Sequence, residues 1–151
     1  MKENASCAVT LPCMCASLRR ASRVLTQLYE DQLRTSGVRG TQFTVLQALS
    51  LAGEVSQGAL GEILAIDSTT LTRTLQIMQR HGWISERRGH DRRQRLLRLS
   101  KKGESQFRRA LPAWESAQQK LSEQLGERSW RSLFDLTDKI ASLDRTEGDL
   151  S

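Results

Sequence analysis

The stretch from Asp67 to Leu99 constrains this chain more tightly than any other. Asp67 is one of the short polar residues that close the first turn of a helix. After it, Leu71, Leu75 and Met78 fall at i, i+4 and i+7, one apolar face of a helix running to about His81. Thr69, Thr72, Arg73, Gln76 and Arg80 share the opposite face, which holds hydroxyls, an amide and guanidiniums but no acid. A solvent-facing helix normally mixes Glu with Lys one turn apart. A face without acids suits an acidic, hydrogen-bonding surface. Gly82 ends the helix, and Trp83–Arg88 and Arg95–Leu99 then read as two short strands around the polar tip Gly89–Gln94, a hairpin.

The charge is concentrated in the same place. The chain of 151 residues carries a formal +6, yet the window Arg73–Arg109 alone holds ten arginines and two lysines against Glu86, Asp91 and Glu104. That window is at +9 and the remainder at −3. Most charge runs are solvated, salt-bridged faces. This one is dominated by arginine, whose planar fork matches phosphates and base edges, and it is centred on the hairpin. A polyanionic partner is the expectation.

Upstream, a helical stripe of Leu18, Ser22, Leu25, Leu28 or Tyr29, and Gln32 runs from Pro12 towards Gly37. Thr41 is the expected cap of a second helix with Phe43, Leu46 and Leu49 inward, ending at Gly53. Ser56 opens a short third helix carrying Leu60, Ile63 and Leu64, with a break at Ala65-Ile66 before Asp67. Downstream, Ser100 opens a long helix with Phe107, Leu111, Trp114, Ala117 or Gln118, Leu121 and Leu125, and beyond Gly126 a last helix carries Trp130, Leu133 or Phe134, Leu136, Ile140 and Leu143. The expected class is mainly α with a small β-hairpin wing. A short helix, a tight turn, a second helix and a hairpin in that order form a winged helix-turn-helix. In that motif the second helix enters the major groove of duplex DNA, which makes Ser68, Thr69, Thr70, Thr72, Arg73 and Gln76 the base-facing candidates. Arg92, Arg93 and Arg95 would lie beside phosphates, with a tip arginine able to enter a narrow minor groove.

These residues resemble the MarR family of bacterial transcription regulators over roughly residues 15 to 143. The resemblance rests on Asp67-Ser-Thr-Thr-Leu-Thr-Arg-Thr-Leu75, on Gly82-Trp-Ile84, and on Asp91-Arg-Arg93 followed by Leu97-Arg-Leu-Ser-Lys-Lys-Gly103. It implies that Arg93 is the wing-tip arginine and that Asp91 orients the wing through an ion pair. It also implies a homodimer, most simply a repressor. The whole of 1–151 is then one domain, with a DNA-binding lobe at 41–103 and a dimerisation lobe built from helices at 12–36 and 104–144. Two recognition helices related by a two-fold axis would read a pseudo-palindrome with half-sites about 34–36 Å apart.

Cys7, Cys13 and Cys15 cluster at the front of the chain. One reading is that small thiols pack at a helix start. The other is redox sensing. Cys15 falls in the first turn or two of a helix with Arg19 one turn on, surroundings that make a cysteine reactive. Cys13 and Cys15, two apart on a helix, would point to nearly opposite sides, leaving Cys7 as the second thiol. The run Cys15-Ala-Ser-Leu-Arg-Arg-Ala-Ser-Arg23 resembles the start of the family's organic-peroxide sensors, the OhrR group. There the cysteine eight residues before that arginine reacts with peroxide, and Tyr29 falls where the group has a cysteine-bonding tyrosine. Arg19, and the residues near Gly40, stand where it has two more. The alternative effector is a phenolic or aromatic-acid ligand between the lobe and the dimer helices.

Other classes fit poorly. No Gly-rich phosphate loop, His-Glu-x-x-His or Gly-x-Ser-x-Gly is present, so an enzyme is not expected. A thiol peroxidase would need turnover at Cys15. An RNA-binding or protein-interaction module would want exposed stacking aromatics, and Trp83 alone falls near this surface. Cys13-x-Cys15 lacks zinc-site spacing and both histidines stand apart from it, so neither a metal nor a cofactor is expected. No apolar run nears the ~18 residues of a membrane span. The Met1-Lys2-Glu3 start followed by Pro12 and Arg19 is unlike a signal peptide, which makes the cytoplasm the expected location.

Overall fold

The computed structural model describes residues 12–91 and 93–143; Cys7, Arg92 and the tail from Arg145 lie outside the described residues. Helix α1 spans Met14–Leu33 and passes through a 3-10 turn, Arg34–Ser36, to α2, Gly40–Ala52. A two-residue strand β1, Val55–Ser56, precedes α3, Gln57–Leu64, and α4, Ser68–Arg80. The hairpin is β2, Ile84–Arg88, with β3, Arg95–Leu99, and the long α5, Lys101–Leu125, leads to α6, Glu127–Ser142. The three strands form one antiparallel sheet in the order β1-β3-β2.

Most expected elements are present, with two differences of note. Thr41 is not the cap of α2, which begins at Gly40 with Arg39 as its N-cap. The reason is partly non-local. The Gln42 side chain accepts the Arg39 N–H at 3.0 Å, and the Glu30 carboxylate, reaching from α1, accepts the Gly40 N–H at 2.8 Å. With two otherwise orphaned donors satisfied, the helix starts earlier than Thr41. Strand β1 was not expected, because two residues show no periodicity. It pairs Val55 with Leu97 and Ser56 with Leu96, and so anchors the start of α3 to the wing.

The core lies under α4 and the sheet. Leu71, Leu75 and Met78 are buried as the stripe requires, against Leu46, Leu49, Leu60, Trp83, Ile84 and Leu97. Each such side chain contributes about 1.5–3 kcal/mol by leaving water. Ile63 departs from its expected inward place and is exposed, since Leu60 and Leu64 alone face inward on this two-turn helix. Phe43 of α2 packs against Phe107 and Trp114 of α5 with ring centroids 5.5 and 5.6 Å apart. That aromatic group joins the winged lobe to the long helix.

The chain ends behave differently. On α1 only Leu33 is buried, while Met14, Val24 and Leu28 are exposed. Helix α6 has no buried residue, and Phe134, Leu136, Ile140 and Leu143 are all exposed. Among the described residues nothing covers these apolar side chains. No helix among the described residues is long and apolar enough to cross a membrane.

Candidate nucleic-acid interface

Helices α3 and α4 meet at a tight turn. Ala65 adopts a left-handed backbone with φ 50°, and the Ile66 N–H returns to the Gly61 carbonyl at 3.2 Å. A Cβ on Gly61 would stand 3.5 Å from Leu71, an ordinary contact, so the crossing of the two helices does not depend on glycine there. Asp67 then closes α4. Its two oxygens accept the Thr70 N–H at 2.8 Å and the Thr70 hydroxyl at 2.6 Å.

Hydrogen bonding to Thr70 holds the Asp67 carboxyl below its ordinary value. A depressed folded-state pKa means that the stabilisation is complete above the unfolded value, about 3.9, and is lost as pH falls through the lower folded value. Asp67→Asn keeps a capping oxygen without this titration. The gap in melting temperature between the native chain and that variant is therefore expected to narrow from about pH 5 to about pH 2. A gap independent of pH would show that the carboxylate charge is not what holds the cap.

The base-facing candidates separate into groups. Ser68, Thr69, Thr70, Thr72, Arg73 and Gln76 are all exposed along the start and outward face of α4. The hydroxyl hydrogen of Thr70 is committed to Asp67, and Thr72 Oγ1 receives a hydrogen bond from Gln57 Nε2 at 3.1 Å. Gln57 was not a candidate from sequence. Standing just after a helix cap, it gave no signal.

The wing is ordered by its own tip. Gly89 N–H donates to the Gln94 carbonyl at 2.8 Å and Gln94 N–H to the Asp91 carbonyl at 2.9 Å. Asp91 orients the turn by accepting the Arg93 backbone N–H at 3.0 Å, and among the described residues, which leave out Arg92, it makes no ion pair. A carboxylate two residues before an amide forms this turn locally, without a distant cation. Arg95 pairs with Glu86 at 3.3 Å, and Glu86 also accepts Gln79 Nε2 at 2.8 Å, which ties α4 to the hairpin. Arg87 grips Glu54 beside β1 through two nitrogens, and that contact holds the Glu54 carboxyl below its ordinary value. The basic window is therefore not uniform. Among the described residues Arg73, Arg80, Arg88 and Arg93 have no acidic partner, whereas Arg87 and Arg95 do.

The start of α4 and the wing face each other across a cleft of about 890 Å³. Ser68, Arg93, Arg95, Gln57 and Gln94 line it, with Asp91 and Glu62 at its walls. The structure thus brings the start of α4, Arg93 and Arg95 to one concavity.

The cysteines lie elsewhere. Cys13 is the N-cap of α1 with an extended backbone, not a residue on the helix, so the opposite-sides argument does not apply to it. Both Cys13 and Cys15 are exposed free thiols rather than packed ones. Arg19 Nη2 lies 3.6 Å from Cys15 Sγ. Tyr29 stands fourteen residues along the same helix, about 21 Å away by helical rise, so the two cannot meet within one chain. Burial pushes the Tyr29 phenol up from its ordinary value. It faces a separate cavity of about 730 Å³ between α1, α2 and α6. Among the described residues there is no group of three or more His, Cys, Asp or Glu placed to hold a metal.

A model of the MarR family matches residues 36–94. The chain is 32% identical to the transcriptional regulator MosR of M. tuberculosis, solved in complex with DNA, with a TM-score of 0.74 over 87% of this chain and 98% of that one. The chain belongs to the MarR family. A mutant MarR from E. coli complexed with operator DNA has the same fold, with a TM-score of 0.76 at 21% identity over 84% of this chain and 92% of that one. Among curated proteins, the HTH-type transcriptional regulator YwoH of Bacillus subtilis is 28% identical over 90 residues. That match takes in 60% of this chain and 66% of YwoH, just under two thirds of its length. The relatives this MarR-family chain matches are transcriptional regulators.

Proposed function

We propose that the chain acts as a homodimeric repressor on a pseudo-palindromic duplex operator, with α4 in the major groove and the wing over the backbone and the adjacent minor groove. The observation that carries this is the cleft that Ser68, at the start of α4, shares with Arg93 and Arg95 of the wing. Ser68, Thr69, Thr72, Arg73 and Gln76 meet base edges, and Arg73 can bind guanine bidentately. Thr70 acts chiefly as part of the cap. Arg92, Arg93 and Arg95 lie along phosphates, and Asp91 shapes the turn that presents them. Residues 41–103 form the DNA-binding lobe, and the helices at 12–36 and 104–144 join two copies. The exposed Phe134, Leu136 and Ile140 support that pairing.

Cys15 is the proposed switch. Its sulfur attacks the outer oxygen of an organic hydroperoxide, giving a sulfenic acid and an alcohol; a second thiol, Cys13 or Cys7, then displaces water to form a disulfide. A new bond at the start of α1 biases the helix that reaches both the dimer seam and, through Glu30, the start of α2. The test is binding of the reduced protein to its own upstream DNA under excess competitor, before and after stoichiometric organic hydroperoxide. Specific binding that is lost on oxidation, regained with thiol and made oxidant-resistant by Cys15→Ser is expected. Full oxidant response in Cys15→Ser would sink the thiol switch and leave the DNA reading intact.

A second effector reading rests on the cavity beside Tyr29. Its size is that of a small-molecule site. Leu25, Phe43, Trp114 and Leu133 give it an apolar wall, Thr26 and Thr137 offer hydroxyls, and among the described residues no charged side chain lines it. That lining favours an uncharged phenolic molecule over an aromatic acid. Operator release by such a molecule, with no response to oxidant, would select this reading.

A further inference from the structure

We infer that Gln57, on the helix before the recognition helix, determines which base-edge group Thr72 reads; the inference rests on the duplex-binding role proposed above. Thr72 is exposed on the outward face of α4, and Gln57 is the first residue of α3. The two are fifteen positions apart in the chain, and Gln57 Nε2 donates to Thr72 Oγ1 at 3.1 Å. A hydroxyl has one hydrogen and two acceptor positions. With an amide hydrogen arriving from the α3 side, the hydrogen of Thr72 turns away from Gln57 and outward.

Thr72 is thereby set as a donor. Its complement in the major groove is a carbonyl or ring nitrogen: guanine O6 or N7, adenine N7, or thymine O4. Thr70 is set the other way, because its hydrogen goes to Asp67 Oδ2 at 2.6 Å and only lone pairs remain. Among the described residues Ser68 and Thr69 make no such side-chain bond and can rotate to suit either partner. The hydroxyls of this surface are therefore not equivalent. Freely rotating hydroxyls discriminate little, so the oriented one at Thr72 carries preference, and Gln57 is the positioning residue behind it.

Changing Gln57 to glutamate reverses the arrangement. A carboxylate only accepts, so the Thr72 hydrogen turns inward to it and a lone pair faces out. The natural complement then becomes an exocyclic amino group. Guanine and adenine exchange a carbonyl for an amino group at one groove position, and thymine and cytosine do the same.

The experiment is selection of bound duplexes from a randomised pool, followed by competition titration. It uses the full chain, Gln57→Ala, Gln57→Glu and Thr72→Val. Gln57→Ala and Thr72→Val are expected to flatten preference at one shared base pair per half-site, by roughly three- to tenfold, and to leave the other positions alone. Gln57→Glu is expected to weaken binding overall and to switch that position from guanine to adenine or from thymine to cytosine. A merely supportive Gln57 would weaken every position together and change no base identity. Profiles of the Gln57 variants that superimpose on the native one, or that change where Thr72→Val does not, overturn the inference while duplex recognition stands. A native chain that selects no sequence at all overturns both. Matching thermal melts confirm that the substitutions leave the fold intact.

Discussion

Gly103→Ala is expected to destabilise the chain by about 2 kcal/mol or more and to displace the wing. A Cβ at Gly103 would stand 2.0 Å from the Trp83 carbonyl oxygen and 2.9 Å from its carbon. Both are main-chain atoms, so no flexible side chain can swing aside. The contact is held from both directions. Ser100 N–H donates to that same Trp83 oxygen at 3.0 Å, the Ser100 hydroxyl donates to the Gly82 carbonyl, and Ser100 Oγ accepts the Gly103 N–H at 3.0 Å. The first turn of α5 is thus fastened to the base of the hairpin. Alanine gains only about 1 kcal/mol of helix propensity over glycine, against an overpacking cost of about 1–3 kcal/mol or more for a clash that can relax. This one relaxes only by parting α5 from β2. Calorimetry should show a drop of roughly 4–8 °C in melting temperature, and operator binding should fall with it. A variant as stable as the native chain would show that α5 is free to slide.

The second large effect concerns the outward face of α6. Leu136 is 56% exposed and Ile140 43%, a turn apart on a helix with no buried residue. Leu136→Asp with Ile140→Asp removes nothing from the core of one chain, so the monomer should melt much as before. If this face joins two copies, the pair of carboxylates sets like charges against each other across the two-fold axis. Sedimentation should then show a monomer at concentrations where the native chain is a dimer. Operator affinity should fall by roughly 100-fold or more, because the second half-site is no longer bound as part of one unit. Unchanged mass and unchanged affinity would place the dimer seam elsewhere.

The parts of this molecule that could be read from its sequence are those governed by neighbours a few residues away. Asp67, Ser56 and Ser100 cap the helices they were expected to cap, and Leu71, Leu75 and Met78 are buried as their spacing demands. The hairpin pairs Arg88 with Arg95 around its polar tip. What could not be read depends on distant partners. The start of α2 is set by Glu30, ten residues back; the strand at Val55 exists because Leu97 pairs with it. Nothing in the spacing of the arginines reveals that Glu54 and Glu86 occupy Arg87 and Arg95 and leave Arg73 and Arg93 without an acidic partner among the described residues. The same holds within the reading face. Thr69, Thr70 and Thr72 look alike as letters, and only the positions of Asp67 and Gln57 make them differ.

Helix α5 runs as one piece for 25 residues, roughly 37 Å, from the hairpin base at Gly103 through the Phe107 and Trp114 contacts with Phe43 to the buried Leu121. Those contacts share a fixed phase. Inserting or deleting one residue between Gly103 and Leu121 would turn one set by about 100° relative to the other, so that no rigid rotation could restore both. The length of this segment is therefore frozen, whereas the wing tip and the chain ends can lengthen or shorten without disturbing it. Drift in this chain's length should accumulate at its turns and termini, with α5 as the ruler that keeps the distance between its two ends.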